Sequence, residues 1–223
     1  TFADIAREST RWARLLHERV PEPGARVVIA REPGTAWAAA IVGALRIGVL
    51  PVPVGSALST TDLALRIVEV DPALVLVDLR SAAAMEGATR RLREGPPVLT
   101  LEEASWELLR VGEPTRRTDV PVDEPAVILY TAGRSSGRPR PVVHSHAATY
   151  AAYVPAQEWL DAGPGDLVWC TADGGSSTAL WTGLLGPWST GAAVLHIDGG
   201  LEPGERAELL ARFPPTIAVQ SPA

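Results

Sequence analysis

The sequence predicts an α/β protein built from stacked βα lobes with mostly parallel sheets. Short segments that are apolar at every position, such as Ala73 to Val77 and Ala126 to Leu129, alternate with longer segments of helical periodicity. Wholly apolar strands are typical of parallel sheets, because helices cover both faces of such sheets. Their alternation with helices at this spacing indicates βα units. The chain has 223 residues, 46% of them hydrophobic, and can therefore bury a large core.

The first half of the chain contains each kind of segment. Thr1 to Val20 carries apolar residues at helical spacing, which predicts an amphipathic helix. Thr35 to Ile47 is apolar on almost every side and predicts a buried helix. N-capping residues from Ser59 to Asp62 predict the start of another helix. The other predicted elements are the strands Arg26 to Ala30, Val49 to Val54 and Ala73 to Val77, and an alanine-rich helix from Ser81 to Arg93.

The segment from Val111 to Pro125 differs in composition from both of its neighbours. It is polar and contains prolines, so it predicts a linker and a lobe boundary within residues 111–125. After it the alternation resumes. The predicted strands are Ala126 to Leu129, Val142 to His144, Leu167 to Thr171, Ala193 to Ile197 and Thr216 to Val219. The predicted helices are His146 to Trp159, Thr178 to Trp188 and Pro203 to Phe213.

Residues 130–140 form the most informative segment. They read Tyr-Thr-Ala-Gly-Arg-Ser-Ser-Gly-Arg-Pro-Arg and lie between two β-prone runs. Two glycines free the backbone to bend, and three hydroxyl side chains stand beside backbone N–H groups. A loop of this kind can surround phosphate oxygens with hydrogen-bond donors. It differs from the strand–loop–helix P-loop, which needs Gly-Lys-Ser/Thr at the start of a helix.

This segment resembles the phosphate-binding loop of adenylate-forming (AMP-binding) enzymes, whose pattern is roughly Tyr-Thr-Ser-Gly-Thr-Thr-Gly-x-Pro-Lys-Gly. Later segments follow the order found in acetyl- and medium-chain acyl-CoA synthetases. They include His144 to His146, Trp169 to Asp173 and Gly186 to Trp188. With upstream matches at Gly43, Gly48 and Pro51 to Pro53, the resemblance covers nearly the whole chain. It implies the incomplete N-terminal domain of an adenylate-forming enzyme.

The resemblance also implies a chemistry. In this family Mg-ATP activates a carboxylic acid as an acyl-adenylate, and coenzyme A or a carrier-protein thiol then accepts the acyl group. The phosphate-binding residues that it implies are Thr131, Gly133, Ser135, Ser136, Gly137 and Arg140. The residues that it implies near the acyl group are Gly175, Ser176 and Trp181. No catalytic residue and no metal ligand is assigned within the chain.

The family's later motifs and its C-terminal domain, with the catalytic lysine, are expected to lie beyond Ala223. We therefore expect residues 1–223 alone to be unable to complete the reaction.

The loop departs from the family pattern and is to that extent degenerate. Three residues instead of two separate its glycines, Arg140 replaces a lysine and Pro141 replaces a glycine. Arginine keeps the positive charge as a planar fork, whereas proline removes a backbone donor. Further on, Ser176 replaces a tryptophan of the family. These departures motivate an alternative, a catalytically inert adenylation-like domain that serves as a structural or docking piece of a larger multienzyme.

Composition excludes several classes of protein. The net charge of −6 gives no support for a nucleic-acid partner. A single cysteine, Cys170, excludes an internal disulfide framework. The longest apolar stretch, Thr35 to Leu45, is too short to cross a bilayer, and the start of the chain lacks the pattern of a signal peptide. A cytoplasmic protein without a membrane partner is expected.

Other candidate residues favour a structural interpretation. His144 and His146 could share a metal ion, but no third ligand has suitable spacing. Cys170 lies in an apolar strand and is expected to be an inert thiol. Asp173 follows that strand and either faces a ligand crevice or caps a helix. Residues 30–34 lack the glycine fingerprint of a dinucleotide-binding fold, which excludes that class.

Overall fold

A four-stranded parallel sheet dominates the first half of the molecule. The computed structural model describes residues 1–92, 94–108, 119–131, 138–197 and 201–220. Within them the strands are β1 (Arg26–Ala30), β2 (Leu50–Val54), β3 (Leu74–Val77), β4 (Val98–Thr100), β5 (Pro125–Tyr130), β6 (Pro141–Ser145), β7 (Leu167–Cys170), β8 (Ala193–Leu195) and β9 (Ile217–Val219). The helices are α1 (Phe2–Arg19), α2 (Thr35–Leu45), α3 (Thr60–Val70), α4 (Leu79–Thr89), α5 (Leu101–Leu108), α6 (His146–Ala151), α7 (Tyr153–Glu158), α8 (Ser177–Leu180), α9 (Gly186–Ser189) and α10 (Pro203–Arg212). A π-helix, Trp181–Leu185, separates α8 from α9.

The sheets confirm the predicted fold class. The first sheet has the order β2-β1-β3-β4, and all of its pairs are parallel. The other parallel sheet has the order β8-β7-β9. Between them in sequence, β5 and β6 form an antiparallel hairpin. No helix of the described ranges combines the length and apolarity that crossing a membrane requires.

Two hydrophobic clusters cover the two faces of the first sheet. Along β1, Val27 and Ile29 belong to the first cluster together with α1 and α2, whereas Val28 and Ala30 belong to the second cluster. The second cluster is completed by α3 and α4. This alternation follows from the two-residue period of a strand, and burial on both faces explains why the strand is apolar from Val27 to Ala30.

The hairpin shares these clusters. Val127 and Leu129 of β5 belong to the first cluster, and Ile128 belongs to the second. β5 lies alongside β2 without a ladder of hydrogen bonds. The prolines of β2, Pro51 and Pro53, have no N–H to donate to such a ladder. Side-chain packing therefore joins the hairpin to the sheet.

The second parallel sheet is connected to the same core. Leu180 of α8 and Leu184 of the π-helix belong to the first cluster. A small third cluster, which includes Val168 and Val219, lies within the second sheet itself. The predicted lobe boundary at residues 111–125 thus falls between elements that pack on a common core. Residues 111–118 of that boundary lie outside the described residues.

The structure corrects the predicted elements in three places. β4 and α5 are absent from the prediction, because a three-residue strand next to a two-turn helix has little periodicity. The helix predicted over His146 to Trp159 is divided at Ala152 into α6 and α7. Pro155 lacks the N–H that a continuous helix would need at that point. The helix predicted over Thr178 to Trp188 contains the π-helix, in which the Gly186 N–H reaches the Trp181 carbonyl.

The crossing of α1 and α2 gives a prediction for Gly43. A Cβ at this position would lie 2.7 Å from Trp12 Cβ and 2.9 Å from both Ala13 N and Ser9 O. Although alanine favours helix, we expect Gly43→Ala to lower the free energy of unfolding by about 1–3 kcal/mol, since overpacking forces the helices apart. Urea denaturation measures this change.

A control for this prediction is Gly204→Ala in α10, where nothing lies within 4 Å of the added Cβ. This change should be neutral or stabilise by up to about 1 kcal/mol. Equal effects of the two substitutions would contradict the packing account.

Candidate functional site

The loop predicted to hold phosphates is carried at the tip of the β5–β6 hairpin. Its neck is closed by two hydrogen bonds between Thr131 and Arg140. Thr131 N donates to Arg140 O at 3.0 Å, and Arg140 N donates to Thr131 Oγ1 at 3.0 Å. Gly133, Ser135, Ser136 and Gly137 lie outside the described residues.

The neck lies at the molecular surface. Thr131 and Arg140 are both exposed, and no ion-pair partner of Arg140 is present among the residues described. The Thr131 hydroxyl accepts one hydrogen bond and still has its own proton to donate. The neck therefore offers a hydroxyl donor and an exposed guanidinium, which are groups suited to a phosphate.

Pro141 fits this hairpin without the loss of a ladder hydrogen bond. It is the first residue of β6 and faces Tyr130 in the strand register. Proline is tolerated at the first position of a strand, where its missing N–H breaks no ladder. The replacement of the family's glycine thus leaves the hairpin neck intact.

Helix α3 holds both ends of the loop. Arg138, which follows the undescribed loop residues, donates from Nη2 to Glu69 Oε1 at 2.6 Å. Tyr130, which precedes the loop, has the Arg66 guanidinium 4.7 Å from its ring centre. Burial, followed by the charge of Glu69, raises the pKa of Tyr130. The phenol therefore stays protonated and can donate a hydrogen bond.

One face of the hairpin is directed towards Trp181. His144 faces Val127 across the ladder, and its ring meets the Trp181 ring edge-on at 5.5 Å and 71°. Thr131 follows Val127 by four residues, so both side chains lie on the same face of the hairpin. At about 3.3 Å per residue, the neck lies about 13 Å along the strand from the ring contact. Thr131, Arg140 and Trp181 thus border one side of the hairpin.

The turn after β7 packs closely against the backbone at the carboxyl end of β2. A Cβ on Gly175 would lie 2.5 Å from Gly55 N and 2.8 Å from Val54 Cα. A Cβ on Gly55 would lie 2.5 Å from both carboxylate oxygens of Asp173. Only glycines permit this approach, which brings together the carboxyl ends of strands from the two parallel sheets. Ligands of open α/β sheets bind at such edges.

Asp173 and Ser176 have distinct roles in this turn. Asp173 is exposed, and its Oδ1 accepts from Gly175 N at 2.8 Å. Ser176 is the N-cap of α8, and its Oγ accepts from Ala179 N at 3.1 Å. Asp173 therefore stabilises the turn, and Ser176 caps the helix. Gly175 is packed against β2, whereas Trp181 is half-buried beside His144.

The histidines and the cysteine form no metal centre. Within the described ranges, no three His, Cys, Asp or Glu side chains lie close enough to hold a metal ion. His144 packs against Trp181, and His146 begins α6. Burial raises the pKa of Cys170, which keeps the thiol protonated and unreactive at neutral pH.

A cavity among the described residues lies away from the hairpin. It encloses about 740 Å³ between the start of α1 and β8, and its lining includes Phe2, Trp188 and Leu195. Its acidic side chains, Asp4 and Asp166, disfavour a phosphate. The donor groups of the hairpin therefore mark a better phosphate site than the cavity does.

The fold is that of an α/β protein in which two parallel sheets and a hairpin share one core. A family model for AMP-binding enzymes matches residues 1–223. The chain belongs to the AMP-binding enzyme family.

Curated relatives agree with this assignment. The mitochondrial acyl-coenzyme A synthetase ACSM3 of Mus musculus is 24% identical over 233 residues, covering 100% of this chain and 40% of that protein. The acetyl-coenzyme A synthetase of Bradyrhizobium diazoefficiens is 28% identical over 224 residues, covering 89% of this chain and 34% of that protein. The chain thus spans well under half the length of these relatives.

Solved structures share the fold. A benzoate CoA ligase from Burkholderia xenovorans matches with a TM-score of 0.86 and 22% identity, over 98% of this chain and 44% of that chain. An acyl-CoA synthetase from Brucella canis matches with a TM-score of 0.88 and 19% identity, over 100% of this chain and 42% of that chain. ATP-bound MatB from Rhodopseudomonas palustris matches with a TM-score of 0.82 and 18% identity, over 97% of this chain and 43% of that chain.

The closed neck gives a prediction for Thr131. Thr131→Val removes the hydroxyl that accepts from Arg140 N but keeps the volume of the side chain. We expect the Arg140 amide to exchange about fivefold faster, because one neutral hydrogen bond contributes about 1 kcal/mol. Exchange measured by NMR tests this, with Thr131→Ser as the control that keeps the hydroxyl. An unchanged rate in the valine variant would rule out the bond.

The surroundings of His146 predict how the free energy of unfolding depends on pH. Burial lowers the pKa of His146, and its Nε2 has no hydrogen-bond partner among the described residues. Because the folded-state pKa lies below the unfolded value of about 6.5, the stabilisation is complete above that pH and is lost as pH falls towards the folded-state pKa. The unfolding free energy of the wild type should therefore decrease more steeply below pH 6.5 than that of His146→Gln.

Urea denaturation at several pH values measures this difference. His17→Gln, at an exposed position of α1, is the matched control and should retain the slope of the wild type. Identical slopes for wild type and His146→Gln would show that His146 does not contribute.

Proposed function

We propose that the chain is the N-terminal part of an ATP-dependent, carboxylate-activating enzyme of the acyl-CoA synthetase type. The observation that carries the proposal is the hairpin neck, where the Thr131 hydroxyl and the exposed Arg140 guanidinium stand together at the base of a glycine-rich loop. The family assignment and the acyl-CoA and acetyl-CoA synthetases among the relatives support it.

The proposed reaction has two steps. A carboxylate oxygen attacks the α-phosphorus of ATP, the bond to the bridging oxygen breaks, and pyrophosphate leaves. A thiol sulfur then attacks the acyl carbon, and AMP leaves. The thiol belongs to coenzyme A, as the names of the relatives indicate, or to a carrier protein. These steps require parts of the relatives that the chain does not cover.

The hairpin has a defined task in the first step. Negative charge accumulates on the departing pyrophosphate, and donors that are already oriented stabilise it without reorganisation. Thr131 and Arg140 supply such donors, together with the loop residues Gly133, Ser135, Ser136 and Gly137. Mg²⁺ would be held chiefly by the phosphate oxygens, as is usual for this ion. The ATP-bound structure of MatB shows that a protein of this fold holds the nucleotide.

Trp181 and the turn before α8 belong to the acyl side of the proposed site. The Trp181 ring lies on the face of the hairpin that also carries Thr131. Gly175 acts by permitting the close approach to β2, and Ser176 acts as the N-cap of α8. We infer that Trp181 contacts the acyl group, whereas Gly175 and Ser176 shape the backbone beside it. The cytoplasmic location remains a prediction from the sequence.

The inert docking domain remains a second candidate. The extra residue between the loop glycines favours it, because every later donor is displaced relative to the phosphates. The intact neck and the easy accommodation of Pro141 favour an active protein. Titration calorimetry with Mg-ATP, on the protein with its native flanking sequence, separates the two. Micromolar binding would exclude the inert domain, and absence of binding would exclude the enzyme.

The enzyme proposal predicts how Arg140 affects activity. In the protein with its native flanking sequence, Arg140→Ala should raise the KM for ATP about tenfold or more in ATP–pyrophosphate exchange, because a charged hydrogen bond contributes about 1.5–3 kcal/mol. Arg140→Lys keeps the charge and should recover part of the loss. Residues 1–223 alone should show no exchange.

The matched control is Arg212→Ala. Arg212 lies at the end of α10, with its guanidinium 5.3 Å from the Phe213 ring centre. An equal rise of KM in both alanine variants would contradict a role of Arg140 at the phosphates.

A further inference from the structure

We propose that Glu69 is the positioning residue of the phosphate hairpin, defined as β5, β6 and the neck residues Thr131 and Arg138 to Arg140. In this inference Glu69 holds Arg138, the residue after the loop, while Arg66 on the same face of α3 holds Tyr130, the residue before it. The inference rests on the proposed function and deepens it, because it names the group outside the loop that fixes the loop's orientation.

The contact with Arg138 has the geometry of a strong ion pair. Nη2 of Arg138 lies 2.6 Å from Oε1 of Glu69, and the side chains are 60% and 24% exposed, respectively. Charge-assisted hydrogen bonds of this length are the strongest in proteins. Partial burial of the carboxylate reduces screening by solvent. The pair therefore restrains the chain where it leaves the loop.

The contact with Tyr130 restrains the chain where it enters the loop. The Tyr130 hydroxyl donates to the backbone carbonyl of Arg66 in α3 at 3.4 Å. Arg66, one helical turn before Glu69, covers the ring of Tyr130 with its guanidinium 4.7 Å from the ring centre. Residues three apart on a helix share a face, so Arg66 and Glu69 meet the hairpin together.

Helix α3, which carries Glu69, is held in place by the core. Leu63, Ile67 and Val70 of α3 are buried in the second cluster, to which Ile128 of the hairpin also belongs. Ser59 caps the start of α3 by accepting from Asp62 N at 3.1 Å. Glu69 thus projects from an element whose own position is set by the core. The backbone pair at the neck fixes the separation of the two strands, and Glu69 fixes the hairpin against α3.

An exposed ion pair on the same molecule can be compared with the pair of Glu69 and Arg138. Glu86 and Arg90 of α4 form an i,i+4 pair whose side chains are 63% and 74% exposed. Pairs of this kind contribute little, because both charges remain solvated. Glu86 lies on a different helix, and its carboxylate pairs with Arg90 of that helix. It is therefore a matched control for Glu69.

The first test is kinetic and uses the protein with its native flanking sequence. Glu69→Ala should raise the KM for ATP in pyrophosphate exchange about tenfold, because a charged hydrogen bond is lost, while the KM for the acid changes little. Glu69→Asp should recover part of the loss, and Glu86→Ala should have no effect. A merely structural role would instead lower kcat for both substrates together, and that result would overturn the inference.

A double-mutant cycle tests the pairing with Arg138. If Glu69 acts partly through Arg138, the rise of KM in the double variant Glu69→Ala with Arg138→Ala should be well below the product of the two single effects. A rise equal to that product would overturn the pairing.

The second test requires no nucleotide. In the same protein without ligand, Glu69→Gln should speed amide exchange at Thr131 and Arg140, because the hairpin loses an anchor, whereas Glu86→Gln should leave both rates unchanged. Unchanged exchange in Glu69→Gln would overturn the positioning role. If the wild-type protein binds no nucleotide, the proposed function fails, yet this exchange measurement still decides whether Glu69 holds the hairpin.

Discussion

The close approach of two backbone segments is the constraint on which the arrangement depends. Gly175, in the turn after β7, lies against the backbone of Val54 and Gly55 at the end of β2, so closely that a Cβ on Gly175 is excluded. This contact sets the carboxyl ends of the two parallel sheets side by side. Since Leu180 and Leu184 follow the turn and pack in the first cluster, the same contact also determines where the π-helix presents Trp181 to the hairpin. Backbone packing therefore positions the groups of the candidate site.

Much of the fold could be predicted because burial leaves a simple signature. β3, and β1 after Arg26, are apolar since helices cover both faces, and α1 and α3 show the spacing of half-buried helices. The errors lie where a local feature outweighs periodicity: Pro155 divides one helix, and the packing of Gly183 against Cys170 accompanies the π-helix in another. The loop residues could be proposed from composition and family resemblance. Glu69 could not, because it is 61 positions from Tyr130 in the sequence, and only the fold places α3 beside the hairpin.

The departures from the family pattern differ in how much they affect the hairpin and the site. Pro141 is harmless at the first position of β6, and Arg140 preserves the positive charge. Ser176 takes a structural role as N-cap of α8 and leaves Trp181 as the aromatic side chain beside the hairpin. The extra residue between the loop glycines is the change that bears most directly on phosphate binding. The balance between an active enzyme and an inert relative thus rests on one inserted residue.

The central claim is that the hairpin binds the terminal phosphates of a nucleotide. A crystal structure of the protein with its native flanking sequence, bound to Mg²⁺ and a non-hydrolysable ATP analogue, tests it most directly. The account predicts the β- and γ-phosphates within hydrogen-bond distance of residues 131–140, on the face that carries the Thr131 hydroxyl. Phosphates bound elsewhere, for example in the cavity between α1 and β8, with the hairpin untouched, would contradict it.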